Sequence, residues 1–189
     1  MSLGGSVSTS LDTAVRNSIA SGVTYVIAAG NSNADASSSS PARVTEAITV
    51  AASTSSDARA AFSNFGATID LFAPGVSVLS AWATSDTATN VLSGTSMAAP
   101  HVAGVAALYL QTFGNQTPAT VAGALTANAT TGVITDLVGS PNRLVYSGFL
   151  LTPPAPATLT ANPGSITPGQ SSTLTLTTPT TNYHNVRIN

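Results

Sequence analysis

Hydrophobic and polar positions fall into three patterns along the chain. The runs 24–29 (Thr-Tyr-Val-Ile-Ala-Ala) and 47–52 (Ala-Ile-Thr-Val-Ala-Ala) are apolar at nearly every position. That is the signature of strands buried on both faces of a sheet. Two longer segments carry apolar residues at helical spacing. Residues 8–21 place Leu11, Ala14, Val15, Ile19 and Ala20 near one stripe, with Ser8 or Ser10 as cap and Gly22 as terminator. Residues 96–113 align Val102, Val105, Ala106, Tyr109 and Phe113, with Pro100 in or at the edge of the first turn, where a missing N–H is tolerated best. A third helix is predicted from Thr117-Pro118 to about Ala127, with Thr as N-cap and Pro at the first helical position. Short strands are predicted at 1–3, 68–72 and 76–82, the last two separated by a Pro74-Gly75 turn. Strands alternating with helices predict an α/β fold of three layers: a mostly parallel sheet with helices on both faces.

The pattern changes at Thr152-Pro153-Pro154-Ala155-Pro156, which reads as a stiff linker over 151–157. From 158 to 189 the chain is rich in Thr, Ser and Pro, with Leu174, Leu176 and Thr178 alternating and turns at Pro163-Gly164 and Pro168-Gly169. This segment predicts the first strands of an immunoglobulin-like β-sandwich, incomplete because such a domain needs about 100 residues. The expected organisation is therefore a catalytic-type α/β unit over 1–150, the linker, and an unfinished accessory segment.

Composition narrows the function classes. Of 189 residues, 43% are hydrophobic and the mean hydropathy is +0.29, enough for a sizeable core. Only 6% are charged, against about 25% in an average soluble protein, and lysine is absent. The surface must be built from Ser, Thr, Asn and Gln, as in many secreted proteins. A net charge of −2 without a basic cluster predicts neither nucleic-acid binding nor attraction to anionic membranes. The longest apolar run, around 97–110, is too short to span a bilayer and carries Pro100 and His101. Zero cysteine excludes disulfides and thiolate metal sites. The first residues show neither a basic nor an apolar signal-peptide region, and no G-x-G-x-x-G or phosphate-loop motif supports a nucleotide-binding reading.

The chemistry concentrates in Gly94-Thr95-Ser96-Met97-Ala98-Ala99-Pro100-His101, a serine at the start of an apolar helix. N–H groups there lack intrahelical partners, and the helix dipole favours negative charge. Read alone, Gly-Thr-Ser before a helix is an ordinary N-cap. The full string from Gly94 to Gly104 (G-T-S-M-A-A-P-H-V-A-G) resembles the nucleophile motif of the subtilisin-like serine peptidases, proteinase K-like branch. The resemblance covers residues 1–150. It implies the C-terminal part of a subtilisin-like catalytic domain, with Ser96 as nucleophile. Ala28-Ala29-Gly30-Asn31 is similar to the family segment whose asparagine amide binds the oxyanion, which assigns that role to Asn31. Ser2-Leu3-Gly4-Gly5 resembles the substrate-binding strand, with Ala28, Ala29 and Gly30 as the other wall of the pocket. Such a strand reads an extended peptide through its backbone. The segments 62–66 and 71–75 are similar to family landmarks and are expected to be packing and turn elements.

Asp70 matches a position where the proteinase K-like branch holds calcium, here with the carbonyls of Thr45 and Ala47. Calcium takes six to eight oxygens and only three are nominated, so a structural calcium and a capping aspartate both stand as readings. No other cofactor is expected.

A serine nucleophile also needs a base and an orienting acid. His101 follows Ser96 by five residues, roughly 140° around a helix at 3.6 residues per turn, and His184 lies past the linker. Asp12, Asp35, Asp57, Asp86 and Asp136 read as caps or loop residues. The family's H-G-T-H-type and D-x-G-type segments do not occur in this sequence. Two functional expectations follow. One is a fragment of a secreted serine endopeptidase that acts on polypeptides, is inactive alone, and has the N-terminal part of its own domain as a partner. The other is a non-catalytic peptide-binding module that keeps the walls of the cleft.

Overall fold

The computed structural model describes residues 1–150 and, beyond them, the backbone pairing of 158–162 with 173–177. The chain divides into two compact units, Met1–Leu150 and Leu151–Asn189.

In the first unit three strands build the sheet's centre: β2 (Val26–Ala28), β4 (Ile48–Ser53) and β5 (Leu71–Pro74). They run parallel, with Val26 opposite Ile48 and Val50 opposite Leu71. β9 (Arg143–Leu144) continues parallel beside β5, and β8 (Thr130–Thr131) closes that side antiparallel, giving the order β2-β4-β5-β9-β8. The sheet is covered on both faces, so its central strands are buried at nearly every position instead of alternating. Val26, Ala28, Ile48, Val50, Ala52, Leu71 and Ala73 meet helices α2 (Thr95–Phe113) and α3 (Pro118–Ala127) through Ala98, Ala99, Val102, Ala106, Tyr109, Val121 and Leu125. Ile27, Ala51 and Phe72 point the other way, to Val15 of α1 (Thr9–Ala20) and to Ala36, Ala42, Val44 and Ile69. The α/β sandwich expected from the pattern is the observed fold.

Local signals behave as expected at the helix starts. Ser8 accepts the Leu11 N–H, and Thr117 accepts the Thr120 N–H ahead of Pro118. Four details differ from expectation. Residues 1–3 are extended but form no named strand: Met1 exchanges backbone hydrogen bonds with Val26 and Ala28, and pairing proper starts with β1 (Gly5–Ser6) against β3 (Ser39–Ser40). The expected strand 68–72 begins late. The turn that bonds Ile69 N–H to Gly66 O delays the ladder until Asp70 donates to Thr49 O. Instead of one strand over 76–82 there is a hairpin of β6 (Val78–Ala81) and β7 (Thr89–Leu92), whose second strand, Thr-Asn-Val-Leu, is largely exposed and does not alternate. Phe113 is 51% exposed, stacking on Tyr109 at the end of α2 instead of completing the buried stripe.

In the second unit β10 (Thr158–Asn162) and β11 (Thr173–Thr177) pair antiparallel, with Leu159 opposite Leu176 and Ala161 opposite Leu174. The linker and the rest of the expected β-sandwich lie outside the described residues.

Candidate active site

A parallel sheet delivers the C-terminal ends of its strands to one rim, where ligands of open α/β sheets bind. β2 runs out through Ala29 and Gly30 to Asn31. β5 runs out to Gly75, whose carbonyl accepts the Gly94 N–H at 2.8 Å on the threshold of α2. These two exits bring Asn31 and Ser96 together.

Thr95, fully buried, joins them. Its N–H and its hydroxyl both donate to Asn31 Oδ1, each at 2.9 Å, while the hydroxyl oxygen accepts the Gly30 N–H at 3.1 Å. This network fixes the Asn31 carboxamide with its oxygen inward, so Nδ2 has no acceptor among the described residues. Gly94 leaves room for it: a Cβ at that position would stand 3.3 Å from Asn31 Nδ2. Ser96 is the second residue of α2. Met97 and Ala98 both donate to Gly94 O, while the Ser96 N–H has no partner among the described residues. Two N–H donors are left over, Asn31 Nδ2 and Ser96 N, at the positive end of a 19-residue helix. They can hold an oxygen that acquires negative charge.

Pro100 lies in the second turn of α2 and not the first, and its position has a consequence. It has no N–H to give the carbonyl four residues back, which is that of Ser96. Ser2 Oγ donates to this freed carbonyl at 2.8 Å, and Ser96 Oγ lies 3.4 Å from the Ser2 carbonyl. The strand expected to bind substrate is thereby tied to the serine. A groove of about 590 Å³ opens beside the pair. Leu3, Gly4 and Gly5 line it on one side, Ala28, Ala29 and Gly30 on the other, with Ala34, Ser38, Ser39 and Ala42 further along. No charged side chain lines it. The residues nominated for binding thus converge on one cleft next to Ser96.

Nothing among the described residues can take the serine's proton. His101 is exposed and its Nδ1 lies 2.8 Å from Met97 O, along its own helix. His184 falls outside the described residues.

Asn64 has a larger part than sequence reasoning gave it. It is 1% exposed and uses its side chain and N–H on residues 29–34. The available signal was an asparagine between Phe62 and Phe65, a polar group that must find internal partners once buried.

Asp70, Thr45 and Ala47 occupy the opposite rim, just before β5 and β4. Asp70 Oδ2 accepts the Thr49 N–H at 2.8 Å. Burial pushes its carboxyl up to about 6, against the opposing pull of the Thr49 N–H and the Arg143 charge. Its other oxygen and the carbonyls of Thr45 and Ala47 accept no hydrogen bond among the described residues. These three oxygens are hard donors of the kind that calcium takes, at the starts of adjacent strands. No cluster of three or more His, Cys, Asp or Glu occurs among the described residues.

The profile described as "Subtilase family" matches residues 1–148. The extracellular serine proteinase of Thermus sp. (strain Rt41A) is 61% identical over 150 residues, covering 79% of this chain and 37% of that protein. Alkaline serine exoprotease A of Vibrio alginolyticus is 53% identical over 147 residues, covering 78% and 27%. Among solved structures, a cold adapted subtilisin-like serine proteinase superposes with a TM-score of 0.75 at 54% identity, covering 78% of this chain and 53% of that one. The chain thus spans between 27% and 37% of the length of these two relatives. With the profile matched over nearly all of the first unit, the chain belongs to the subtilase family.

Proposed function

We propose that this chain is the nucleophile-bearing part of a secreted serine endopeptidase. Ser96 Oγ attacks the carbonyl carbon of a peptide bond. The oxygen that becomes an oxyanion accepts from Asn31 Nδ2 and the Ser96 N–H, and the amine leaves to give an acyl-enzyme. The backbone of Leu3–Gly5 pairs with the extended peptide, and the uncharged groove receives a neutral side chain next to the scissile bond. The base that takes the serine's proton and the acid that orients it come from polypeptide outside this sequence. Two facts support that reading: no histidine among the described residues reaches Ser96, and the relatives are much longer. Extracellular action is supported by the relatives' names and by the charge-poor composition. Among the described residues, no helix is long and apolar enough to cross a membrane. A calcium ion held by Asp70, Thr45 and Ala47 would be structural, since these residues sit at the rim away from Ser96.

One observation carries the proposal: the two unspent N–H donors belong to Asn31 and to Ser96 itself. The test is hydrolysis of a peptide p-nitroanilide with an apolar residue before the scissile bond, by the full-length protein. Ser96→Ala is expected to lower turnover by about 10⁶, the loss known for a subtilisin nucleophile. That no histidine among the described residues reaches Ser96 also admits a module that binds peptides without cleaving them. Saturable binding of an intact peptide by a wild-type protein without turnover would establish that alternative.

A further inference from the structure

We infer that Asn64 is the positioning residue for the oxyanion donor, acting on Asn31 through the loop that carries it. The inference rests on the serine-peptidase reading above. Asn64 makes four hydrogen bonds to residues 29–34. Its N–H donates to Gly30 O at 2.9 Å and its Nδ2 to Ala29 O at 2.9 Å. Its Oδ1 accepts the N–H groups of Ser32 at 3.0 Å and Ala34 at 3.1 Å. The four bonds flank Asn31 on both sides and none touches Asn31 itself, whose carboxamide stays free to face Thr95 and the cleft.

Asn64 is held as firmly as it holds. The Ala52 N–H of β4 donates to Ser63 Oγ at 3.0 Å, and Ser63 Oγ donates to Asn64 O at 3.0 Å. Behind the loop the buried Arg59 donates from Nη1 to Asn33 Oδ1 at 2.9 Å and to Ser63 O at 2.6 Å. The loop is therefore shaped against the central strand of the sheet. The requirement is specific. One planar group must donate from one atom and accept twice at another, which an amide does; a carboxylate has no donor, and a hydroxyl has a single atom for both tasks. Gly30 is matched to it, because at φ +105° a Cβ would stand 2.4 Å from Asn64 Nδ2. An oxyanion donor misplaced by about 1 Å loses much of its effect, so Asn64, which borders the groove but is 1% exposed and spends its amide on the loop, governs the rate through Asn31.

The test is kinetic, in the full-length protein. Asn64→Ala should lower kcat about 10- to 100-fold with KM changed less than about threefold, since the lost interaction belongs to the transition state. Combined with Asn31→Ala, it should cost less than about threefold further, because its effect passes through Asn31. Should Asn64→Ala not fold, Asn64→Asp keeps the two acceptor bonds and sets an oxygen against the Ala29 carbonyl in place of the donor. It should then lower kcat about tenfold with the same dependence on Asn31. Kcat within about threefold of wild type, or a loss undiminished in the Asn31→Ala background, overturns the inference. A wild-type protein without peptidase activity would instead sink the functional reading. In that case the side-chain amide resonances of ¹⁵N-labelled Asn31 decide: broadened or doubled in Asn64→Asp supports the positioning role, and unchanged refutes it.

Discussion

At the rim where β2 and β5 end, Asn31, Asn64 and Thr95 spend nearly all their donors and acceptors on one another and on the loop between them. What remains over is a pair of N–H donors. At the rim where β4 and β5 begin, Asp70 spends one carboxylate oxygen on Thr49, and what remains over is acceptors: its second oxygen and the carbonyls of Thr45 and Ala47. One sheet thus presents surplus donors at one end and surplus acceptors at the other. Surplus donors suit a transient anion, and surplus acceptors suit a resident cation. The contrast shows that such a site is defined less by the polar groups present than by those left unpaired after the fold has satisfied the rest.

The largest effect should come at the donor rim. Asn31→Leu keeps the shape of the side chain and removes the amide. It should lower kcat by about 10²–10³, a magnitude that belongs to the corresponding asparagine of a subtilisin, with KM nearly unchanged. A comparable loss in KM would mean that Asn31 binds substrate in the ground state. The contrast between the rims would then lose its donor side.

A smaller effect is expected at the acceptor rim. Asp70 has its carboxyl raised to about 6 when folded, above its ordinary value near 4. Between those values the folded state binds the proton more tightly, so in calcium-free buffer stability should be highest below about pH 4. It should fall as pH rises through about 6, by at most about 3 kcal/mol, and stay lower above that. Thermal melts at stepped pH with a chelator check this, and Asp70→Asn should flatten the curve. Added calcium should raise the melting temperature near pH 7 in the wild type and not in Asp70→Asn. Equal responses in both proteins would leave Asp70 as a capping residue.

The sheet, its helices and the meeting of Asn31 with Ser96 were legible in the sequence because each rests on local signals. Continuous apolar runs mark doubly covered strands, Ser8 and Thr117 mark helix starts, and the Gly94–His101 string carries the family resemblance. Asn64 was hidden because its partners lie about 30 residues away, and no local pattern records which backbone groups a buried amide will satisfy. The β6–β7 hairpin was missed for a different reason. Both strands are largely exposed, so burial imposes no alternation on Thr89–Leu92. The helix starts at Thr95, one residue before the expected start, which puts Pro100 past the first turn, and no local pattern shows that the freed Ser96 carbonyl is taken by Ser2.

If this chain carries the nucleophile and its oxyanion donors but not the base, a fluorophosphonate probe separates the two. Labelling is measured on the 189-residue chain beside its Ser96→Ala and His101→Ala/His184→Ala variants. The wild-type chain should label slowly, no faster than an ordinary exposed serine, with no change on removing both histidines. Rapid labelling that disappears in Ser96→Ala and in the double histidine variant would contradict this, because a base would then exist within the chain.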